Sequence, residues 1–191
     1  MRQELKNFGY FILISFFELF RIDYSKRRHL TVEYIDRKLK VKLQKHDEYV
    51  KEVQAILDKS HKKYKADKFI SYAIEQSAHC NYITFTCRSE FRFLQFWQGD
   101  GKIILDYPMT RQNDLGDYKY QVLGLLAENG FYKMRSDGKL LDYFFRFETE
   151  DDLSIIKASF AHDIELTTKF ITTVMTEFFK LDLKNINATV G

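Results

Sequence analysis

Proline is nearly missing from this chain: Pro108 is the only one in 191 residues. That scarcity argues against disordered linkers and against a loop-rich fold. Cysteine is scarce as well. Cys80 and Cys87 lack Cys-x-x-Cys spacing, so a disulfide framework is not expected and a reducing cytoplasm is the simpler location. The sequence has no Gly-rich phosphate loop and no His-Glu-x-x-His. The five histidines, His29, His46, His61, His79 and His162, are widely separated. His162, Asp163 and Glu165 stand at i, i+1 and i+3, which is no compact ligand set and reads as a surface face. His79 and Cys80 are adjacent, and adjacent side chains diverge in regular structure, so a nucleophile pair is not expected there. Asp106 and Asp142 read as solvent-facing strand acids. These absences point away from an enzyme and give no cofactor and no metal site.

A long hydrophobic segment is missing too. Residues 8–20 form an apolar run, but a membrane-spanning helix needs about 20 such residues, and this run is shorter and carries Glu18. Glu-Leu-Phe-Arg-Ile follows where a signal peptide would want small residues. The run is then a helix packed on the protein itself or on a second subunit, or one lying flat on a membrane. With the basic triplet Lys26-Arg27-Arg28 beyond it, a peripheral contact would use Phe11, Ile12, Phe16, Lys26, Arg27 and Arg28. The location would then be the cytoplasmic face of the inner membrane.

Aromatics are abundant, with 18 Phe, 12 Tyr and one Trp, and each buried ring removes a large apolar area from water. The 45% hydrophobic and 30% charged content is that of a soluble globular protein, and 191 residues suffice for one core plus an appended segment. Charge is uneven. Residues 1–68 hold 17 Lys/Arg against 10 Asp/Glu, a net +7, and the remainder holds 13 against 17, a net −4. This asymmetry separates a basic, mainly helical extension, residues 1–65, from an α+β domain, residues 66–191.

Within the extension, Leu39, Val41 and Leu43 alternate with lysines in a strand period, while Glu33, Arg37 and Lys45 suit a helix. From Asp47 to about Lys59 the pattern is helical, with Val50, Val53 and Leu57 on one side. Lys59, Lys62, Lys63, Lys65 and Lys68 with Tyr64 make a basic patch of the kind that tracks phosphates. The acidic second half and the lack of a DNA- or RNA-reading motif argue against nucleic acid as the partner.

The second half alternates in strand fashion. Tyr82–Arg88, Phe91–Gln98 and Lys102–Tyr107 form a predicted antiparallel meander with a hairpin turn at Gln98-Gly99-Asp100-Gly101. A helix with Tyr118, Val122, Leu125 and Leu126 as its stripe ends at Asn129-Gly130. Tyr132–Arg135 and Leu140–Glu148 are expected to pair as a second hairpin. Thr149-Glu150-Asp151-Asp152 has the form of a helix start, and a long helix is expected from Leu153 to Leu181. One sheet face takes Ile83, Phe85, Leu94, Phe96, Ile103 and Leu105 under the helices. The other takes Phe93, Gln95, Trp97, Ile104, Phe144 and Arg146, a mixed aromatic and polar surface that suits partner binding. Cover by the front segment is the alternative for that face.

Helix, three-stranded meander, helix, hairpin and long helix is an order that resembles the type III secretion chaperone-like fold and the related YbjN-type bacterial sensory-transduction regulators. The likeness rests on Phe93-Leu94-Gln95-Phe96, Ile103-Ile104-Leu105-Asp106-Tyr107, Leu123–Leu126 with Asn129-Gly130-Phe131, and the closing Glu177-Phe178-Phe179, and covers roughly residues 66–181. It implies a five-stranded antiparallel sheet packed with helices in a dimeric, non-enzymatic module. Such a module holds a partner segment extended along the sheet or in hydrophobic grooves. The expected partner is another protein: a secreted effector, a toxin or a regulatory partner, with a homodimer as the assembly. The alternatives are an immunity- or antitoxin-type inhibitor of a bacterial toxin and a membrane-associated regulator acting through the N-terminal helix.

Overall fold

The computed structural model describes residues 24–87, 92–99, 101–109, 115–134, 139–150 and 153–191, with side chains from residue 38 onward except at 115 and 150. The chain divides into two compact units, residues 1–46 and 47–191. This division falls at 46/47, and the expected one at 65/66. Helix α1, Tyr24–Ser60, crosses the division. Over residues 38–43 helix prevails over the strand-like alternation, and Leu39, Val41 and Leu43 are exposed on it. The apolar run 8–20 lies outside the described residues.

In the second unit, Val53 and Leu57 of α1 are buried, as their spacing implies. Helix α2, Ala66–Gln76, buries Phe69, Ile70, Ala73 and Ile74 on one stripe. Strands β1 (Tyr82–Cys87), β2 (Phe93–Gly99) and β3 (Lys102–Pro108) form the expected antiparallel meander. Gly101 takes φ +70° after β2, where an L side chain is disfavoured. A 3-10 turn, Leu115–Tyr118, leads into α3, Lys119–Glu128. Gly130, at φ +81°, ends α3, with Phe131 N–H donating to Leu126 O at 3.0 Å and the Phe131 ring buried.

Beyond Phe131 the fold departs from expectation. Strand β4 (Tyr132–Lys133) is two residues long and runs parallel to β5 (Phe144–Glu150), so the two are not a hairpin. Thr149 and Glu150 finish β5 and do not start a helix. Leu153–Ser159 is strand β6, antiparallel to both β5 and β3. Ile156 and Phe160, spaced by four, satisfy either a helical stripe or the even positions of a strand. The sheet decides between them, because Ile156 pairs with Phe147 and Tyr107 and is fully buried. The final helix, α4, covers only Ile164–Thr173 and passes into a π turn at Val174–Phe178. Its cap is Asp163, whose carboxylate accepts Leu166 N–H at 2.8 Å. The triplet expected to be a surface face thus contains a helix cap. A short 3-10 turn, Leu183–Asn185, precedes β7, Ile186–Val190, which pairs with β1.

The class is α+β, as expected, but among the described residues the sheet has seven strands in the order β4-β5-β6-β3-β2-β1-β7 and is mixed, with one parallel pair at β4/β5. Its inner face meets α2, α3 and α4. Phe160 links the layers: its ring lies 6.0 Å from Phe96, 4.7 Å from Phe131 and 5.1 Å from Phe170 of α4.

Candidate functional site

Alternation along each strand places a second set of residues on the outer face, and the ladder register assembles them. Trp97 stands opposite Ile104 and Tyr82, and Gln95 opposite Asp106 and Thr84. Asp106 faces Lys157, and Lys157 faces Arg146. All six residues expected for partner binding, Phe93, Gln95, Trp97, Ile104, Phe144 and Arg146, therefore share this face. They do not form one tight cluster. Phe144 and Arg146 lie on β5, two strand spacings or about 10 Å from β3.

Trp97 is the most open of the six, at 38% exposure, and the other five are half-buried. Its indole N–H donates to Asp106 Oδ2 at 2.7 Å, and its ring meets Tyr82 edge-on at 6.2 Å. The indole is thus fixed in orientation with part of its face open. Thr84 Oγ1 donates to Gln95 Oε1 at 3.3 Å. Phe144 stacks obliquely on Tyr132 of β4 at 5.6 Å, which carries the aromatic surface to the sheet's edge.

Arg146 is engaged by its own strand. Its guanidinium Nε donates to Glu148 Oε1 at 2.6 Å, and Lys157 Nζ lies 2.8 Å from Glu148 Oε2. Burial of Glu148 favours the protonated form, but the hydrogen bonds from Lys157 and Arg146 outweigh it and hold its pKa below the usual value. Asp142 accepts from Lys102 Nζ at 2.5 Å and Ser159 Oγ at 3.2 Å. The Lys102 hydrogen bond lowers its pKa. Asp106 and Asp142 are therefore hydrogen-bonded to different partners, not paired with each other. Lys157 escaped the sequence analysis because its strand has helical spacing; its alternation with Ile156 and Ala158 was the available signal.

The two sheet edges differ. At β7 the side-chain amide of Gln54, on α1, acts as a strand would: Nε2 donates to Ala188 O at 3.1 Å, and Oε1 accepts Val190 N–H at 3.0 Å. At the opposite edge β4 covers only Phe144 and Phe145 of β5. Among the described residues, no strand pairs with β5 on that side beyond Phe145.

The thiols are buried and apolar in setting. Burial raises the pKa of both, that of Cys87 to about 11. Among the described residues no group of three or more His, Cys, Asp or Glu is placed to hold a metal ion. An open groove of about 910 Å³ runs between α2 and α4, lined by Asp67, Glu75 and Glu165 as well as Lys68 and Lys169. Its charges are mixed. The Thr168 and Thr172 hydroxyls in its wall have no hydrogen-bond partner.

Of the residues proposed for membrane contact, Phe11, Ile12 and Phe16 lie outside the described residues. Lys26, Arg27 and Arg28 are helical in α1, and their side chains also lie outside them. Among the described residues no helix is long and apolar enough to cross a membrane. Comparison with protein-family models, with curated proteins and with solved structures finds no match.

Proposed function

We propose that this chain is a non-enzymatic protein-binding module, of the kind the secretion-chaperone resemblance implies, that docks a partner polypeptide on the outer sheet face. The observation that carries this reading is Trp97: a large indole, held by Asp106 and Tyr82, with more than a third of its surface open beside Ile104. Rigid aromatics that keep an open face are the side chains that dominate binding energy at interfaces. A partner of ordinary interface size, about 800 Å² per side, would reach from Trp97 to Phe144 and Arg146.

The test is a photo-crosslinking amino acid placed at Trp97 and, as control, at Tyr120 on α3, which is 79% exposed. In the native cell the probe at 97 should give one discrete adduct and the probe at 120 should not. An adduct of twice the chain mass assigns the partner as a second copy, and any other single mass assigns a different protein. No adduct at 97, or the same ladder from both positions, overturns the reading.

A further inference from the structure

On the other side of the sheet from Trp97, a pocket of about 320 Å³ opens where α1 turns into α2. It is lined by His61, Tyr64, Lys65, Ala66, Phe69, Leu183, Lys184 and Ile186. Lys65 and Lys184 line it from segments far apart in sequence, and His61 adds an imidazole. Among the described residues no acidic side chain lines it. Among the described residues no carboxylate lies within ion-pair distance of Lys65, Lys184 or His61. Two lysines line the same pocket, the neighbouring carboxylate, Asp182, being spent on the Lys184 backbone N–H at 3.0 Å, and like charges sharing one pocket favour an anion between them.

The rest of the wall is apolar. Phe69 and Ile186 are buried at 1% exposure, the His61 ring meets Phe69 edge-on at 5.4 Å, and Tyr64 is 42% exposed with its ring 5.1 Å from Tyr72. The pocket also borders the start of α2. Lys65, at the cap position, makes no side-chain cap, and the first helical hydrogen bond is Phe69 N–H to Lys65 O at 2.8 Å. The N–H groups before it add to the positive potential there. The acidic residue of that first turn, Asp67, faces the α2–α4 groove instead.

We infer that this pocket binds a small phosphate monoester carrying a flat ring, the phosphate between Lys65 and Lys184 and the ring against Tyr64 and the Phe69–Ile186 floor. The volume lies at the small end of the range for small-molecule sites, about 300–1,000 Å³. That favours a mononucleotide-sized ligand over a strand of nucleic acid. The lysine-rich stretch around Tyr64 thus acquires a defined centre. The inference is independent of the partner-binding reading, because it uses a different side of the sheet.

The experiment is a titration of the full-length, isotope-labelled chain with adenosine monophosphate, inorganic phosphate, adenosine and a short single-stranded oligonucleotide. Amide shifts around Tyr64, Lys65, Ala66 and Lys184 should move with adenosine monophosphate, more weakly with inorganic phosphate, and not with adenosine. The K65Q/K184Q double variant should weaken adenosine monophosphate binding at least about 10-fold, the scale of losing two charge-assisted contacts, with its thermal midpoint not lowered, since both lysines are exposed and removing like charges relieves their repulsion. Equal binding by the double variant, shifts elsewhere on the chain, or no shift with any probe would overturn the proposal. Tighter binding of the oligonucleotide than of the mononucleotide would also overturn it, in favour of a nucleic-acid surface.

Discussion

Phe96 and Trp97 are neighbours in β2 that live on opposite faces of the same sheet. The inner residues Ile83, Phe85, Leu94, Phe96, Ile103 and Leu105 are all fully buried against helices and aromatic rings. Their outer neighbours Thr84, Gln95, Ile104 and Asp106 are half-buried, and Trp97 is partly open. The inner face is held by apolar burial, worth about 1.5–3 kcal/mol for a large side chain. The outer face is held by directed polar contacts: Trp97 to Asp106, Glu148 between Arg146 and Lys157, and Asp142 between Lys102 and Ser159. One face supplies the stability that lets the other keep an aromatic group in view of solvent.

The largest expected effect comes from exchanging those two neighbours for alanine in turn. Phe96→Ala opens a cavity among Phe85 and Phe160 and should cost about 3–5 kcal/mol. Trp97→Ala removes a partly exposed ring and one solvent-accessible hydrogen bond, and should cost roughly 1 kcal/mol. Urea denaturation of both variants measures the gap. Equal losses would mean that Trp97 is a core residue and that the two faces do not differ as described.

The edges extend the same contrast. Gln54→Leu removes the amide that occupies Ala188 O and Val190 N–H. The expected loss is about 1–2 kcal/mol, because two backbone groups lose their partner. A bared strand edge is also a template for pairing, so size-exclusion chromatography should show stronger concentration-dependent self-association than that of the unmodified chain. An unchanged elution profile would mean that the β7 edge is protected by something other than Gln54.

The meander was legible because its signals are local: strict alternation from Tyr82 to Cys87, the Gly101 turn, and the Gly130 stop after α3. The six outer-face residues followed from alternation alone, and the ladder register puts them on one face. The failures share a cause as well. Residues 153–160 carry apolar side chains at positions that suit both a strand and a helix, and an acid-rich lead-in tilted the balance toward helix. Pairing with β3, 53 positions apart in the case of Leu105 and Ala158, has no local trace. The alternation of Ile186, Ala188 and Val190 was available in the sequence, but five residues after a helix carry little weight until β1 is seen to need a neighbour. Gln54 capping a strand edge 134 residues away and Lys184 meeting Lys65 in one pocket are products of the tertiary fold. Neither pairing has a spacing that could announce it.

The smallest expected effect separates the two carboxylates of the outer polar network. Glu148 and Asp142 both have pKa values held below normal. Each binds its proton more weakly folded than unfolded, so each ionised group stabilises the fold above its unfolded value, about 4.3 for Glu and 3.9 for Asp. Those contributions disappear as the pH falls through the lower folded values. Stability should therefore decline below about pH 4.3, and Glu148→Gln should flatten part of that decline. Asp142→Asn should flatten it less, because its side chain is 47% exposed against 19% for Glu148, and solvent screens an exposed pair. High salt sharpens the difference. At about 1 M the Debye length is near 3 Å, so the Asp142 contribution should nearly vanish while that of Glu148 persists. Urea midpoints measured at pH 3 to 6 with and without salt test the order. If Asp142→Asn had the larger effect, the outer network would be anchored at Lys102 and not on the β5–β6 pair that carries Arg146.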